Sequence, residues 1–132
     1  MIKGVDHIGL GVKDINSTLE AFARVLKVPI PPVKYVAEKK MWVALLELGP
    51  INLEILQDDS DDGMLATFTR ERGDGIHHFC VASDDIDADV EEMKRRGIEM
   101  MHEHPVMGVR GKRIAFTRPD ALNGIPMELS EP

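Results

Sequence analysis

Along this chain, polar and apolar residues alternate over short stretches, switch to helical spacing, and then alternate again. That order runs twice from end to end. Val5 to Val12 reads as a buried strand. Asp14 or Asn16 can cap the segment that follows, in which Leu19, Phe22, Ala23 and Leu26 fall at helical spacing. Pro29, Pro31 and Pro32 stop that helix, because proline lacks the amide hydrogen and clashes with the preceding turn. Val33 to Val36 can form a short strand. Met41 to Leu48 is a richer one, Gly49-Pro50 marks a tight turn, and Ile51 to Leu56 is the hairpin partner. The first half therefore predicts β-α-β-β-β.

Asp58 to Gly63 reads as an acidic loop and Met64 to Arg72 as a short linking helix. The order then returns. Ile76 to Ala82 is a strand, and Asp85 to Arg96 is a helix with Val90 and Met93 on its inner face and Gly97 as its stop. Ile98 to Met101 predicts a strand, Pro105 to Gly111 a loop, and Arg113 to Thr117 another strand. Pro119 to Gly124 is a turn, and Ile125 to Leu129 closes the module. The expected fold is α+β: one domain over residues 1–132, built from two tandem βαβββ modules (about 1–57 and 73–132). A linker with a short helix (58–72) joins them. A period near 70 residues that occurs only twice suits a pseudo-symmetric pair rather than a solenoid. Two curved mixed sheets of this kind can enclose a shared cleft.

The repeat carries chemistry with it. Asp6-His7-Ile8-Gly9-Leu10 returns as His77-His78-Phe79-Cys80-Val81, with His7 and His78 standing 71 residues apart, as do Asp14 and Asp85. Asn52-Leu53-Glu54-Ile55 returns as Pro126-Met127-Glu128-Leu129, with the glutamates 74 apart. Taken singly, a strand histidine is often only hydrogen-bonded, and a strand glutamate often faces solvent from an edge. Structural accidents have no reason to recur at matching repeat positions. A carboxylate between strand neighbours as apolar as Leu53 and Ile55 is costly to bury unless it is paired or bound to a metal. His7, His78, Glu54 and Glu128 together form an N/O set suited to a divalent ion such as Zn, Co, Mn, Fe or Ni.

Composition narrows the partners. With 132 residues, 43% hydrophobic and 30% charged, the chain is ordinary for a globular domain, and its net charge of −7 argues against nucleic acid or an anionic membrane. No apolar run approaches a membrane span and no signal-peptide pattern opens the chain, so a cytoplasmic location is expected. The single cysteine, Cys80, lies in a hydrophobic run and reads as a buried, inert thiol. His77 should point away from His78's face and pack, while His102 and His104 should be exposed. Met93, Met100, Met101 and Met107 read as core or cleft filler. The run Asp58, Asp59, Asp61, Asp62 lacks the closing glutamate of a calcium loop and reads as solvated. Arg110, Lys112, Arg113 and Arg118 are the one basic concentration, either a solvated hairpin or an anion contact beside the cleft. No phosphate-binding loop and no nucleophile elbow is present.

These stretches, with Gly73-Asp74-Gly75-Ile76-His77-His78, Gly108-Val109-Arg110-Gly111-Lys112 and Gly124-Ile125-Pro126-Met127-Glu128-Leu129, resemble the vicinal-oxygen-chelate superfamily. That superfamily includes glyoxalase I, extradiol dioxygenases and antibiotic-resistance binding proteins. Within it, the resemblance runs nearly end to end with the methylmalonyl-CoA epimerase branch. It implies a divalent metal (Co, Zn, Mn, Ni or Mg) held by His7, Glu54, His78 and Glu128, the Glu54 position carrying Gln in some members. It implies an isomerase that moves the proton alpha to the thioester of a 2-substituted acyl-CoA through a metal-stabilised enolate, and a homodimer. Glu128 would be ligand and base, with Lys112, Arg113 and Arg118 beside the substrate. A glutamate found on the third strand of some members is Val43 here, and Glu47, four residues on along the same face, is the candidate substitute. The family's Pro-Glu-Gln-Gly-Val stretch is Ala37-Glu38-Lys39-Lys40-Met41, and its frequent His-Pro is Arg118-Pro119. The alternatives within the resemblance are a glyoxalase I-like or other metal-dependent lyase or isomerase, and a non-catalytic small-molecule-binding relative.

Overall fold

The computed structural model describes residues 1–132. Its elements run β1 (Ile2–Gly11), α1 (Ile15–Leu26), β2 (Lys34–Val36), β3 (Met41–Leu48), β4 (Ile51–Asp58), α2 (Met64–Arg72), β5 (Gly75–Ser83), α3 (Ile86–Arg95), β6 (Val106–Met107), β7 (Arg113–Phe116) and β8 (Met127–Ser130). The architecture is α+β, with β-α-β-β-β on either side of a linking helix, as the hydrophobic pattern predicts. No helix is long and apolar enough to cross a membrane. The chain divides into two compact units, one of Met1–Ile8 with His78–Pro132 and one of Gly9–His77. The first eight residues thus belong with the second half of the sequence.

In the unit of Met1–Ile8 and His78–Pro132 the strand order is β1-β5-β8-β7-β6. β8 lies parallel to β5, in register Phe79↔Met127, Cys80↔Glu128 and Val81↔Leu129, and antiparallel to β7, in register Ala115↔Leu129 and Phe116↔Glu128. Opposed residues share a face and neighbours alternate. Phe79, Val81, Ala115, Met127 and Leu129 therefore line one face, while His78, Cys80, Phe116 and Glu128 line the other. The apolar face is covered by α3, whose Ile86 and Val90 pack with Val81, Ala115 and Leu129, and Met93 and Met100 close the margin. Asp85 caps α3 by accepting a hydrogen bond from the Ala88 amide at 3.1 Å, and the chain leaves the helix at Gly97, where φ is +81°.

Three expectations fail in this unit. Ile98 to Met101 is not a regular strand: Met100 makes one isolated antiparallel bridge to Thr117, with hydrogen bonds from Met101 N to Phe116 O and from Arg118 N to Glu99 O. The edge of β7 is instead paired by Val106–Met107, within the segment expected to be loop. Pro105 separates the two pieces and cannot donate to a ladder. Met101 and Met107 are exposed rather than core filler.

In the unit of Gly9–His77, β2, β3 and β4 form an antiparallel meander, in register Val43↔Leu56, Leu45↔Glu54 and Glu47↔Asn52. Asp14 caps α1 through the amides of Asn16 and Ser17 at 3.1 and 3.2 Å, and Ile15 and Leu19 are buried. Leu26, the last of the residues at helical spacing, is exposed where the helix runs out before the prolines. The acidic loop is structural rather than merely solvated. Asp58 accepts from the Ser60 and Ala66 amides, both at 3.0 Å, which caps the start of α2, and Asp59 accepts from Trp42 Nε1 at 2.8 Å.

Candidate metal centre

The face of β5 and β8 that α3 leaves uncovered collects the chemistry. His7 on β1, His78 on β5 and Glu128 on β8 are buried, at 2%, 3% and 6% exposure. His7 Nε2 lies 3.0 Å and His78 Nε2 3.6 Å from the same oxygen, Glu128 Oε1. The two rings meet edge-on with centroids 5.7 Å apart, and His78 rests edge-on against Phe116 at 5.2 Å. Strand alternation explains the arrangement: Glu128 sits between Met127 and Leu129, whose side chains go to the helix-covered face. Burial pushes the Glu128 carboxyl pKa up, but the imidazoles of His7 and His78 set against it outweigh burial and leave the group at about 2. Glu128 is an anion at neutral pH.

Asp6 and Arg110 belong to the same cluster, although the pattern reading gave neither a role at the metal. Asp6 Oδ2 is 2.8 Å from His7 Nδ1, and Arg110 Nη2 is 3.3 Å from both that oxygen and Nδ1. Burial pushes the Asp6 carboxyl up, but the hydrogen bond from His7 and the charge of Arg110 hold it below its ordinary value. The available signal for Asp6 was a break in the repeat, since the matching residue in the second copy is His77 rather than an acid. Nothing in sequence spacing signals Arg110, which is 104 residues from Asp6.

These residues fit a divalent ion. An ionised Asp6 can only accept, so the hydrogen of His7 sits on Nδ1 and the Nε2 lone pair turns toward Glu128. A lone pair and a carboxylate oxygen at 3.0 Å repel unless a proton or a cation stands between them. Donor atoms bound to one ion at about 2.1 Å lie about 3.0–3.4 Å apart in octahedral or tetrahedral arrangements, close to the spacings found. Two imidazole nitrogens and a carboxylate oxygen suit Zn, Co, Mn or Ni by donor type. Cys80, opposite Glu128 in register and fully buried, has its sulfur within 4.8 Å of ligand atoms of Asp6 and His7.

The other expected site residues lie on other elements. Glu54 is buried, at 4% exposure, on β4 of the second unit, and Glu47 shares its strand face but is exposed beside the Gly49-Pro50 turn. Val43, at 5% exposure, is on that face too. The basic concentration disperses in space. Arg113 lies on the helix-covered face, paired with Asp87 at 3.0 Å and Glu131 at 3.1 Å, and Arg118 is exposed beside Glu99 at 3.7 Å. Arg113 and Arg118, the expected substrate contacts, thus each hold an acidic partner. Lys112 is half-buried, in the tight β6–β7 connection where Gly108 N bonds to Lys112 O at 2.8 Å. A Cβ on Gly108 would come within 2.9 Å of Ile114, so the turn that carries Arg110 needs glycine there. His77 points to the opposite face and packs edge-on against Phe68 at 5.0 Å, and His102 and His104 are exposed.

The sequence profile of the glyoxalase/bleomycin resistance protein/dioxygenase superfamily matches residues 6–116. An uncharacterised Bacillus subtilis protein, YqjC, is 28% identical over 97% of this chain and 91% of its own. The mitochondrial methylmalonyl-CoA epimerase of Homo sapiens is 25% identical over 96% of this chain and 73% of its own. Among solved structures, a hypothetical protein from Bacillus halodurans superimposes with a TM-score of 0.90 at 31% identity, covering 97% of this chain and 93% of that one. A variant of Streptomyces coelicolor methylmalonyl-CoA epimerase, in complex with 2-nitronate-propionyl-CoA, gives a TM-score of 0.91 at 24% identity, covering 99% and 98%. At that identity the likeness is one of fold. With a profile match over most of its length, the chain belongs to the glyoxalase/bleomycin resistance protein/dioxygenase superfamily.

Proposed function

We propose that this protein is a metal-dependent isomerase that moves the proton on the carbon alpha to a thioester, epimerising a 2-substituted acyl-CoA such as methylmalonyl-CoA. The observation that carries the reading is the convergence of His7 Nε2 and His78 Nε2 on Glu128 Oε1 in a buried site. His7, His78 and Glu128 would hold the ion. Glu54 is the proposed fourth ligand, as the buried carboxylate at the repeat position that matches Glu128. A bound divalent ion supplies Lewis-acid stabilisation of the negative charge that develops on the thioester carbonyl as the proton leaves.

The chain's own residues do the rest. Glu128, held ionised, takes the proton from one face of the alpha carbon. Inverting the centre requires a proton to arrive on the other face. Glu47 is the proposed donor, since it is the acid on the strand face that also carries Val43 and Glu54. Lys112 is the proposed contact for an anionic part of the substrate. A cytoplasmic homodimer accompanies this reading.

A second reading has an observation of its own. Val43 cannot carry a proton, and Glu47 is exposed to solvent. A site with Glu128 alone would exchange the proton on one face and act as another isomerase or lyase of the superfamily. The two separate in D2O with (2R)-methylmalonyl-CoA, by following deuterium at the alpha carbon and formation of the 2S isomer. The epimerase reading expects both in the wild type, with Glu47→Gln keeping exchange while losing isomer formation by roughly 10²-fold or more. Unchanged epimerisation in Glu47→Gln would remove Glu47 from the mechanism. Exchange without epimerisation in the wild type favours the single-face reading.

A further inference from the structure

The two histidines differ in what stands behind them. His7 has Asp6 at 2.8 Å from Nδ1 and Arg110 against Asp6 at 3.3 Å. At the matching repeat position before His78 stands His77, turned to the opposite face against Phe68. A hydrogen bond from the far ring nitrogen to a carboxylate fixes the ring's tautomer and rotation and makes the near nitrogen a better donor. The asymmetry also shows in the distances to Glu128, 3.0 Å for His7 and 3.6 Å for His78.

We propose that Asp6 and Arg110 are positioning residues for the metal centre: Asp6 orients His7, and Arg110, carried on the Gly108–Lys112 turn, locks Asp6 in place. The inference rests on the metal reading above. Asp6 is half-buried on β1, where its side chain would otherwise be free to rotate outward, and a guanidinium reaching across from another element removes that freedom. Their charges offset, so the pair fixes the ring without changing the net charge beside the ion. Because Arg110 sits two residues from Lys112, the same turn joins the metal ligand to the proposed substrate contact. Arg110 therefore ties the loop's conformation to the geometry of His7.

The test uses the full chain with Asp6→Asn, Arg110→Met and Arg110→Lys, each checked for an unchanged far-ultraviolet spectrum. Cobalt titration, read by visible absorption with a competing chelator, should show affinity lowered roughly 10–100-fold in Asp6→Asn and Arg110→Met. Arg110→Lys should recover part of the loss. In metal-free protein, long-range ¹H–¹⁵N spectra should place the His7 hydrogen on Nδ1 in the wild type and shift it toward the other tautomer in Asp6→Asn and Arg110→Met, while His78 stays unchanged. Wild-type affinity and tautomer in both variants would overturn the proposal. Failure of the wild type to bind cobalt would overturn the metal reading instead, and the His7 tautomer would still decide the roles of Asp6 and Arg110.

Discussion

Glu128→Gln should lower deuterium incorporation into methylmalonyl-CoA by roughly 10²–10⁴-fold, the range a positioned general base contributes. The substitution keeps size and one carbonyl oxygen on the site face of β8 but removes the negative charge. His7 and His78 both aim Nε2 at that oxygen, so the loss strikes the base and the donor set together. The backbone register of β8 with β5 and β7 does not depend on the charge, so the far-ultraviolet spectrum should be unchanged. Exchange at the wild-type rate in a folded Glu128→Gln protein would take Glu128 out of the chemistry.

On the other face of the same strand, Leu129→Ala should cost about 2–5 kcal/mol of stability. Leu129 is fully buried, opposite Val81 and Ala115, beneath Ile86 and Val90 of α3. Ala115 is already small and cannot swing in to fill the space, which argues for the upper part of that range. Against a total stability of about 5–15 kcal/mol, this is a large share. For a chain of this size the melting temperature should fall by roughly 10 °C or more. Urea unfolding measures it directly, and a loss below about 1 kcal/mol would mean that the α3-covered face is not the core it is taken to be.

Much of this arrangement is legible before any coordinates. β3 and α2 have the boundaries that their apolar pattern predicts, because Gly49-Pro50 and the Gly63 and Gly73 flanks punctuate them unambiguously. The repeat singles out His7, Glu54, His78 and Glu128, since a duplicated module places matching strand positions on matching faces. The failures share a cause, which is partners distant in the chain. Ile98 to Met101 has a strand's composition, but only the far end of β7 is open to it, and Pro105 divides what could have been one edge strand. The four basic residues look like a patch because they are close in sequence. Asp6, Asp87, Glu131 and Glu99 draw Arg110, Arg113 and Arg118 apart. Alternation fixes the face of Glu47 but not its exposure, which follows from its place at the end of the hairpin.

The most direct test of the metal centre is the rate of deuterium exchange into methylmalonyl-CoA by chelator-treated protein, measured as Co(II) is added back. The proposed chemistry predicts no enzymatic exchange at zero cobalt and a rate that rises linearly and levels off at one ion per chain. Exchange that is full without metal, or absent at every cobalt concentration, would contradict it.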